Sequence, residues 1–268
     1  MFDALFTTTT EYKKLSHALS GKGACALFGL PASGRAQVYA ALCRQLDKPL
    51  CIVTPGEAEA TRFAADLNTL GIPAAVFPAR DYVLRPIEGT AREYEYRRLA
   101  VLGELVGGRL RAVAVPAEAL TQFTTPKEDF CANTRTLHAG DTLLRDDLLA
   151  ALFGAGYTRR AQVDGPGQFS VRGDIVDIFA PDQKMPVRME FWGDEIDTLH
   201  TFDLTTQRRE DAIDKFYLSP AREVLFGFLF DAAEQLRAFL AKQRGKKKTA
   251  MADLSLIHIS EPTRRRGI

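Results

Sequence analysis

Between residues 24 and 122 the chain repeats one unit: a short apolar run, a turn, then a stretch with apolar residues at helical spacing. "ACALFG" (24–29) precedes a helix pattern over 35–47, with Val38, Leu42 and Leu46 on one side. "LCIVT" (50–54) precedes residues 56–70, where Ala60, Phe63, Ala64, Leu67 and Leu70 share a face and Gly71 stops the helix. "AAVFP" (74–78) is followed by a polar loop and a helix pattern over 90–106, with Tyr94, Leu99, Leu102 and Val106 on the apolar side. "RAVAVP" (111–116) leads into a short helical "AEALTQF". Strands buried on both faces read as continuous apolar runs, and alternation with helices is the mark of a parallel sheet. The pattern predicts an α/β fold: a parallel sheet with helices on both faces, holding residues 24–28, 50–54, 74–77 and 111–115.

Near Pro126 the texture changes. A helix is expected from Arg145 to Phe153, ended by "GAG", and strands follow it. "QFSVRGDIVDIF" reads as one strand whose apolar phase flips at Gly173, which predicts a bulge or bend there. "VRMEFWGDEIDTLHTF" reads as a hairpin turning at Gly193-Asp194. Its register sets Phe191 against Ile196, Met189 against Thr198 and Val187 against His200. The other face then carries Arg188, Glu190 and Trp192 opposite Leu199, Asp197 and Glu195. Glu190 opposite Asp197 is unfavourable without a nearby cation, and Arg172 is the expected one. Residues 127–218 are thus a smaller mixed α+β domain with a charged sheet face. A helix over roughly 229–243 is expected to lead back toward the first domain.

Residues 29–36, "GLPASGRA", sit where a phosphate-binding loop would, between the first apolar run and the first helix pattern. That motif needs Gly, four residues, Gly, Lys, then Ser or Thr. Gly29, Ser33 and Gly34 are present, but Arg35 and Ala36 replace the Lys and the hydroxyl. The Lys reaches the terminal phosphates and the hydroxyl holds Mg²⁺; Ala36 holds no metal, and Pro31 removes one N–H from the cradle. After the fourth apolar run only Glu118 appears, with no acidic pair. Two readings stay open: a strand-to-helix turn that binds nothing, or a residual anion site.

Composition narrows the classes. Lys and Arg total 35 against 34 acids, so bulk charge does not make the chain a non-specific nucleic-acid binder. No apolar stretch reaches the ~20 residues that span a bilayer, and the N-terminus lacks a secretory pattern. Cys25, Cys43, Cys51 and Cys131 form no Cys-x-x-Cys, and the four histidines are scattered. A reducing cytoplasm and no metal are expected.

"GLPASGRA", "CIVTPGEAEATRFAADL", "FPARDYVLRP", "AVAVPAEAL", "GYTRRAQVDGPGQFSVRGDIVDIFAP", "VRMEFWGDEIDTLHTFDLTTQR" and "LSPAREVLF" occur in that order. Together they resemble the N-terminus of the bacterial transcription-repair coupling factors over roughly residues 10–240, most specifically from Gly156 to Phe226. The same region resembles UvrB, the damage-recognition helicase whose front module those factors share. UvrB has an intact phosphate loop and a long Tyr-rich hairpin, for which residues 80–92 are too short. The resemblance therefore favours the coupling factors, with a UvrB-like ATP-dependent helicase fragment as the alternative.

The resemblance implies a division of the chain. Residues 1–126 would be a degenerate UvrB-like domain 1a, 127–218 a UvrA-interaction domain 2, and 219–253 the start of domain 1b. It implies UvrA binding through Arg159, Arg172, Phe179 and Glu190. It also implies no catalysis or cofactor in these residues. The longer parent would use ATP, Mg²⁺ and double-stranded DNA to push stalled RNA polymerase off damage. Finally, "LSLIHISEPTR" (254–264) resembles the in-frame translation of a common transposase-type sequencing adapter. Residues 254–268 are therefore expected to be a non-native tail, with the natural sequence ending near Asp253.

Overall fold

The structure, a computed structural model, describes residues 7–21, 24–46, 49–80 and 92–223. The helix expected over 229–243 and the adapter-like tail lie outside them. The first part is a parallel sheet of β1 (Leu50–Thr54), β2 (Ala74–Val76) and β3 (Ala112–Pro116), in the order β1-β3-β2. Alternate residues of each strand point to opposite faces. Ile52, Ala112 and Ala114 face α2 (Ala32–Gln45) and α3 (Glu57–Thr69), where Ala40, Cys43, Ala60, Ala64 and Leu67 are buried against them. The alanines on both sides let helix and sheet approach closely. Val113 and Val115 face the other way, onto Val101, Leu102 and Leu105 of α4 (Glu93–Val106). Helices thus cover both faces, as the alternation predicts.

Two features depart from the sequence pattern. Residues 24–28 form no strand and are exposed, with Phe28 at 89%. An apolar run becomes a strand only when a neighbouring edge receives its N–H and C=O groups. Among the described residues neither β1 nor β2 does so, and the sheet has three strands where four were expected. A helix with no expectation attached, α1 (Thr10–Ser20), is capped by Thr9 Oγ1 accepting from Tyr12 N–H. It packs Tyr12 on Val38, Ala41 and Leu42 of α2, and the Tyr12 hydroxyl donates to Gln45.

After α5 (Ala117–Leu120) and α6 (Lys127–Ala132), the second part begins at β4 (Arg135–His138). Beyond α7 (Arg145–Gly154) come β5 (Thr158–Arg159), β6 (Gln168–Arg172), β7 (Ile175–Phe179), β8 (Val187–Trp192), β9 (Glu195–Phe202), β10 (Arg209–Ala212) and β11 (Lys215–Leu218). Strands β10-β9-β8-β7-β6-β5 make one sheet, antiparallel except for the β5–β6 pair, and β11 pairs with β4. Phe169, Val176, Ile178, Met189, Phe191, Ile196 and Leu199 form a core with Leu148 and Leu152 of α7.

The expected bent strand is two strands. β6 and β7 form a hairpin around Gly173-Asp174, with Gly173 at φ 60°, just as Gly193-Asp194 turns β8 into β9 with Gly193 at φ 62°. The phase flip at Gly173 marks a reversal of the chain, because this left-handed backbone suits a tight turn and disfavours a side chain. The β8–β9 register also needs correction. Phe191 does face Ile196, but a bulge follows, and Glu190 then faces Thr198, Met189 Leu199, Arg188 His200 and Val187 Thr201. Asp197 is the extra residue, so Glu190 is spared a carboxylate directly opposite.

The two parts are joined by buried ionic chemistry. Arg98 of α4 is fully buried, and its Nε and Nη2 donate to the buried Glu223 carboxylate at 2.8–3.0 Å. Its Nη1 donates to Pro78 O at 2.7 Å and to Gln122 Oε1 at 3.3 Å, and the guanidinium lies 4.0 Å from the Phe77 ring centre. Arg80 adds a second cation to Glu223 at 3.2 Å, and Thr125 Oγ1 donates to Glu223 O. The chain therefore enters and leaves the second part, near Thr125 and Glu223, at one pinned point.

Candidate functional site

Residues directly opposite on paired strands share a face. One row across β6–β9 is Arg172, Ile175, Glu190 and Thr198; the next is Ser170, Asp177, Arg188 and His200. These rows lie on the face turned away from the α7 core.

The centre of this face is Asp177, which is fully buried. Arg188 grips it with Nε to Oδ1 at 2.7 Å and Nη2 to Oδ2 at 3.0 Å, and Arg172 Nη2 donates to Oδ2 at 2.5 Å. Such paired N–H···O bonds fix the guanidinium plane as well as its position. The hydrogen bonds to Asp177 push Arg188 above its ordinary pKa, against the opposing pull of desolvation. Arg188 also lies 4.7 Å from the Phe202 ring centre and donates to Gln207 O. Gln207 adopts φ 59°, uncommon for a residue with a side chain. Asp203 sets that turn by accepting from the Thr205 and Thr206 N–H groups and the Thr206 hydroxyl. The backbone bond from Thr206 is the main reason the Asp203 carboxyl sits below its ordinary pKa.

Of the four residues expected to bind a partner, the structure brings two together. Arg172 and Glu190 share the outer row; the Arg172 side chain is about half exposed, and Glu190 is paired with Arg209 of β10. Phe179 is a packing residue, 7% exposed among Val163, Phe202 and Leu204. It belongs to a small apolar cluster on the charged side of the sheet and supports the Phe202 ring under Arg188. Arg159 is exposed on β5, in register with Phe169, and so lies on the opposite side of the sheet from Arg172. Sequence reasoning missed Asp177, although a carboxylate inside the apolar run "IVDIF" was a visible signal. It also missed Arg209, which lies 19 residues from Glu190 with nothing local to link them.

The loop at 29–36 forms a turn into a helix. Gly29 has φ 81°, α2 starts at Ala32, and Arg35 N–H donates to Pro31 O at 3.0 Å. Ser33 and Gly34 fall in the first helical turn. Ala36 is 2% exposed, and the Arg35 guanidinium lies 5.9 Å from the Phe63 ring of α3. Among the described residues no group of three or more His, Cys, Asp or Glu is placed to hold a metal, and no helix is long and apolar enough to cross a membrane.

Residues 136–224 match the model of the UvrB interaction domain family, a span that begins in β4 and contains the whole charged face. The chain is 28% identical over 201 residues to the transcription-repair-coupling factor of Bacillus subtilis, covering 74% of this chain. It is 35% identical over 208 residues to that of Myxococcus xanthus, again 74% of this chain. With that of Mycobacterium bovis it shares 38% over 192 residues, 69% of this chain. The chain spans 15–17% of the length of these three relatives.

Proposed function

The chain belongs to the transcription-repair-coupling factors as their N-terminal UvrB-like module, and from this premise we propose that its interaction domain docks UvrA. Its role lies in coupling to excision repair. Docking would bring the excision-repair machinery to RNA polymerase stalled at damage. The longer parent would supply the ATP-driven motor and the contacts to polymerase and double-stranded DNA.

The observation that carries this reading is the half-exposed Arg172 held by the buried Asp177–Arg188 pair. A long surface side chain is normally free to rotate. Here one end of Arg172 is already fixed, so little ordering entropy is lost when a partner meets it. Glu190 and Arg209 extend the row with both signs of charge, which favours register and selectivity over bulk attraction.

Arg172→Ala is expected to weaken UvrA binding ten-fold or more. Truncating a desolvated interfacial charge costs ~2–5 kcal/mol, and each ~1.4 kcal/mol is a factor of ten. Folding should hold, because Asp177 keeps both bonds from Arg188. Titration of purified UvrA against both proteins, with circular dichroism as the folding control, tests this. Equal affinities would make Arg172 a bystander, and no binding by the wild type would remove the assigned function.

We also propose that these residues do not hydrolyse ATP. Ala36 is inside the helix packing, and the Arg35 guanidinium is turned to Phe63. Phosphate release is expected at background with or without DNA. Turnover that disappears in Arg35→Ala would overturn this reading and restore the helicase alternative.

A further inference from the structure

Along β8 the inward residues Val187, Met189 and Phe191 fill the core, and the outward residues are Arg188, Glu190 and Trp192. Arg188 and Glu190 each have an ionic partner. Trp192, the only tryptophan in the chain, is 81% exposed, with no ring or cation stacked on it among the described residues. It is two residues along the strand from Glu190, on the same face and one row beyond the row that holds Arg172. A large aromatic left in water beside fixed charges has the character of an interface hot spot, a residue type enriched where truncation costs most.

The surroundings of Trp192 state the chemistry of what covers it. Asp194 lies in the adjoining turn, and Glu195 is its direct partner on β9. Asp197 is the exposed bulge residue one step further. None of these three has an ion-pair partner among the described residues. Arg145, which lines one hollow with Asp194, pairs with Asp174 and donates to Gly173 O. The tip of the hairpin therefore carries an exposed indole and, in the turn and on the paired strand, three carboxylates with no ion pair among the described residues. That pairing suits a cationic side chain, which the indole face attracts and the carboxylates can bond.

We propose that Trp192 is the aromatic anchor of the docking face, and that the UvrA segment covering it carries Arg or Lys. The inference rests on the UvrA reading above and extends the contact from Arg172 to the hairpin tip. Asp197 has a direct part in it, because the bulge that displaces it from Glu190 also adds a carboxylate near the tip.

The test uses the full chain and purified UvrA. Fluorotryptophan incorporation gives a single fluorine NMR signal that reports position 192 alone. Addition of UvrA is expected to shift or broaden that signal. Trp192→Ala is expected to weaken binding ten-fold or more, Trp192→Phe less, and the triple variant D194K/E195K/D197K by a comparable factor. Circular dichroism should be unchanged in each, since all four side chains are exposed. If Arg172→Ala weakens binding while Trp192→Ala and the triple variant bind as the wild type and the fluorine signal stays still, the anchor falls and the docking reading stands. If wild-type protein does not bind UvrA at all, both fall.

Discussion

Arg98→Ala is expected to lower the unfolding free energy by ~3–5 kcal/mol, because it strands a buried carboxylate. Glu223 is fully buried, and three of the hydrogen bonds it accepts come from Arg98. Arg80 remains, but its side chain is 29% exposed and makes one contact at 3.2 Å. The lost guanidinium also leaves Pro78 O without its donor and uncovers the Phe77 ring. Glu223→Gln should also destabilise, since the amide oxygen still accepts but the fully buried Arg98 cation loses its counter-ion. The expected signature is local as well as global. Hydrogen exchange should rise in residues 77–80, 93–106 and 122–125, while β6 to β9 keep their protection, because their core is built from other residues. Urea unfolding of the two variants supplies the free energies. A loss below about 1 kcal/mol for Arg98→Ala would mean that water reaches Glu223 and the pin is not structural.

Much of the first sheet was legible because its strands are short apolar runs bounded by turn residues, and because α3 and α4 carry apolar stripes at helical spacing. Residues 24–28 show the limit of that signal: an apolar run states a wish for burial, but its hydrogen-bonding partner is a tertiary fact. Arg98 was hidden for a related reason. A helix arginine reads as solvated, and only the chain's return at Glu223, 125 residues later, makes it a core residue. In the second sheet the hairpin at Gly193-Asp194 was readable, and the same dipeptide pattern at Gly173-Asp174 marked a second hairpin taken for a bend. The β8–β9 register was right up to Phe191 and shifted beyond it, since a bulge is decided by what the extra residue must avoid. Here the avoided arrangement is Asp197 against Glu190. Of the charged face, Arg172 and Glu190 were recognisable by resemblance. Asp177, which positions Arg172, gains its meaning only when β6, β7 and β8 are laid side by side.

Asp177→Ala is the second large perturbation, expected to cost ~3–5 kcal/mol for the same physical reason with the sign of the stranded charge reversed. The Arg188 side chain is only 10% exposed, and Asp177 is the only carboxylate in ion-pair contact with it among the described residues, with Glu190 a weaker electrostatic neighbour. Its remaining contacts, Gln207 O and the Phe202 ring, do not neutralise it. The loss also releases Arg172 from its only ionic partner among the described residues, so stability and docking should fall together. A double variant separates the two. In D177L/R188M both charges are gone and the volume is roughly kept, and apolar replacement of a buried pair is often neutral or stabilising. Much of the lost stability should therefore return. UvrA affinity should not, because Arg172 is still unanchored and must be ordered at the moment of binding. Urea midpoints and a UvrA titration on wild type, Asp177→Ala, Arg188→Met and the double variant complete the cycle. If the double variant regains affinity along with stability, Asp177 serves only the fold, and the fixed geometry of Arg172 has no part in recognition.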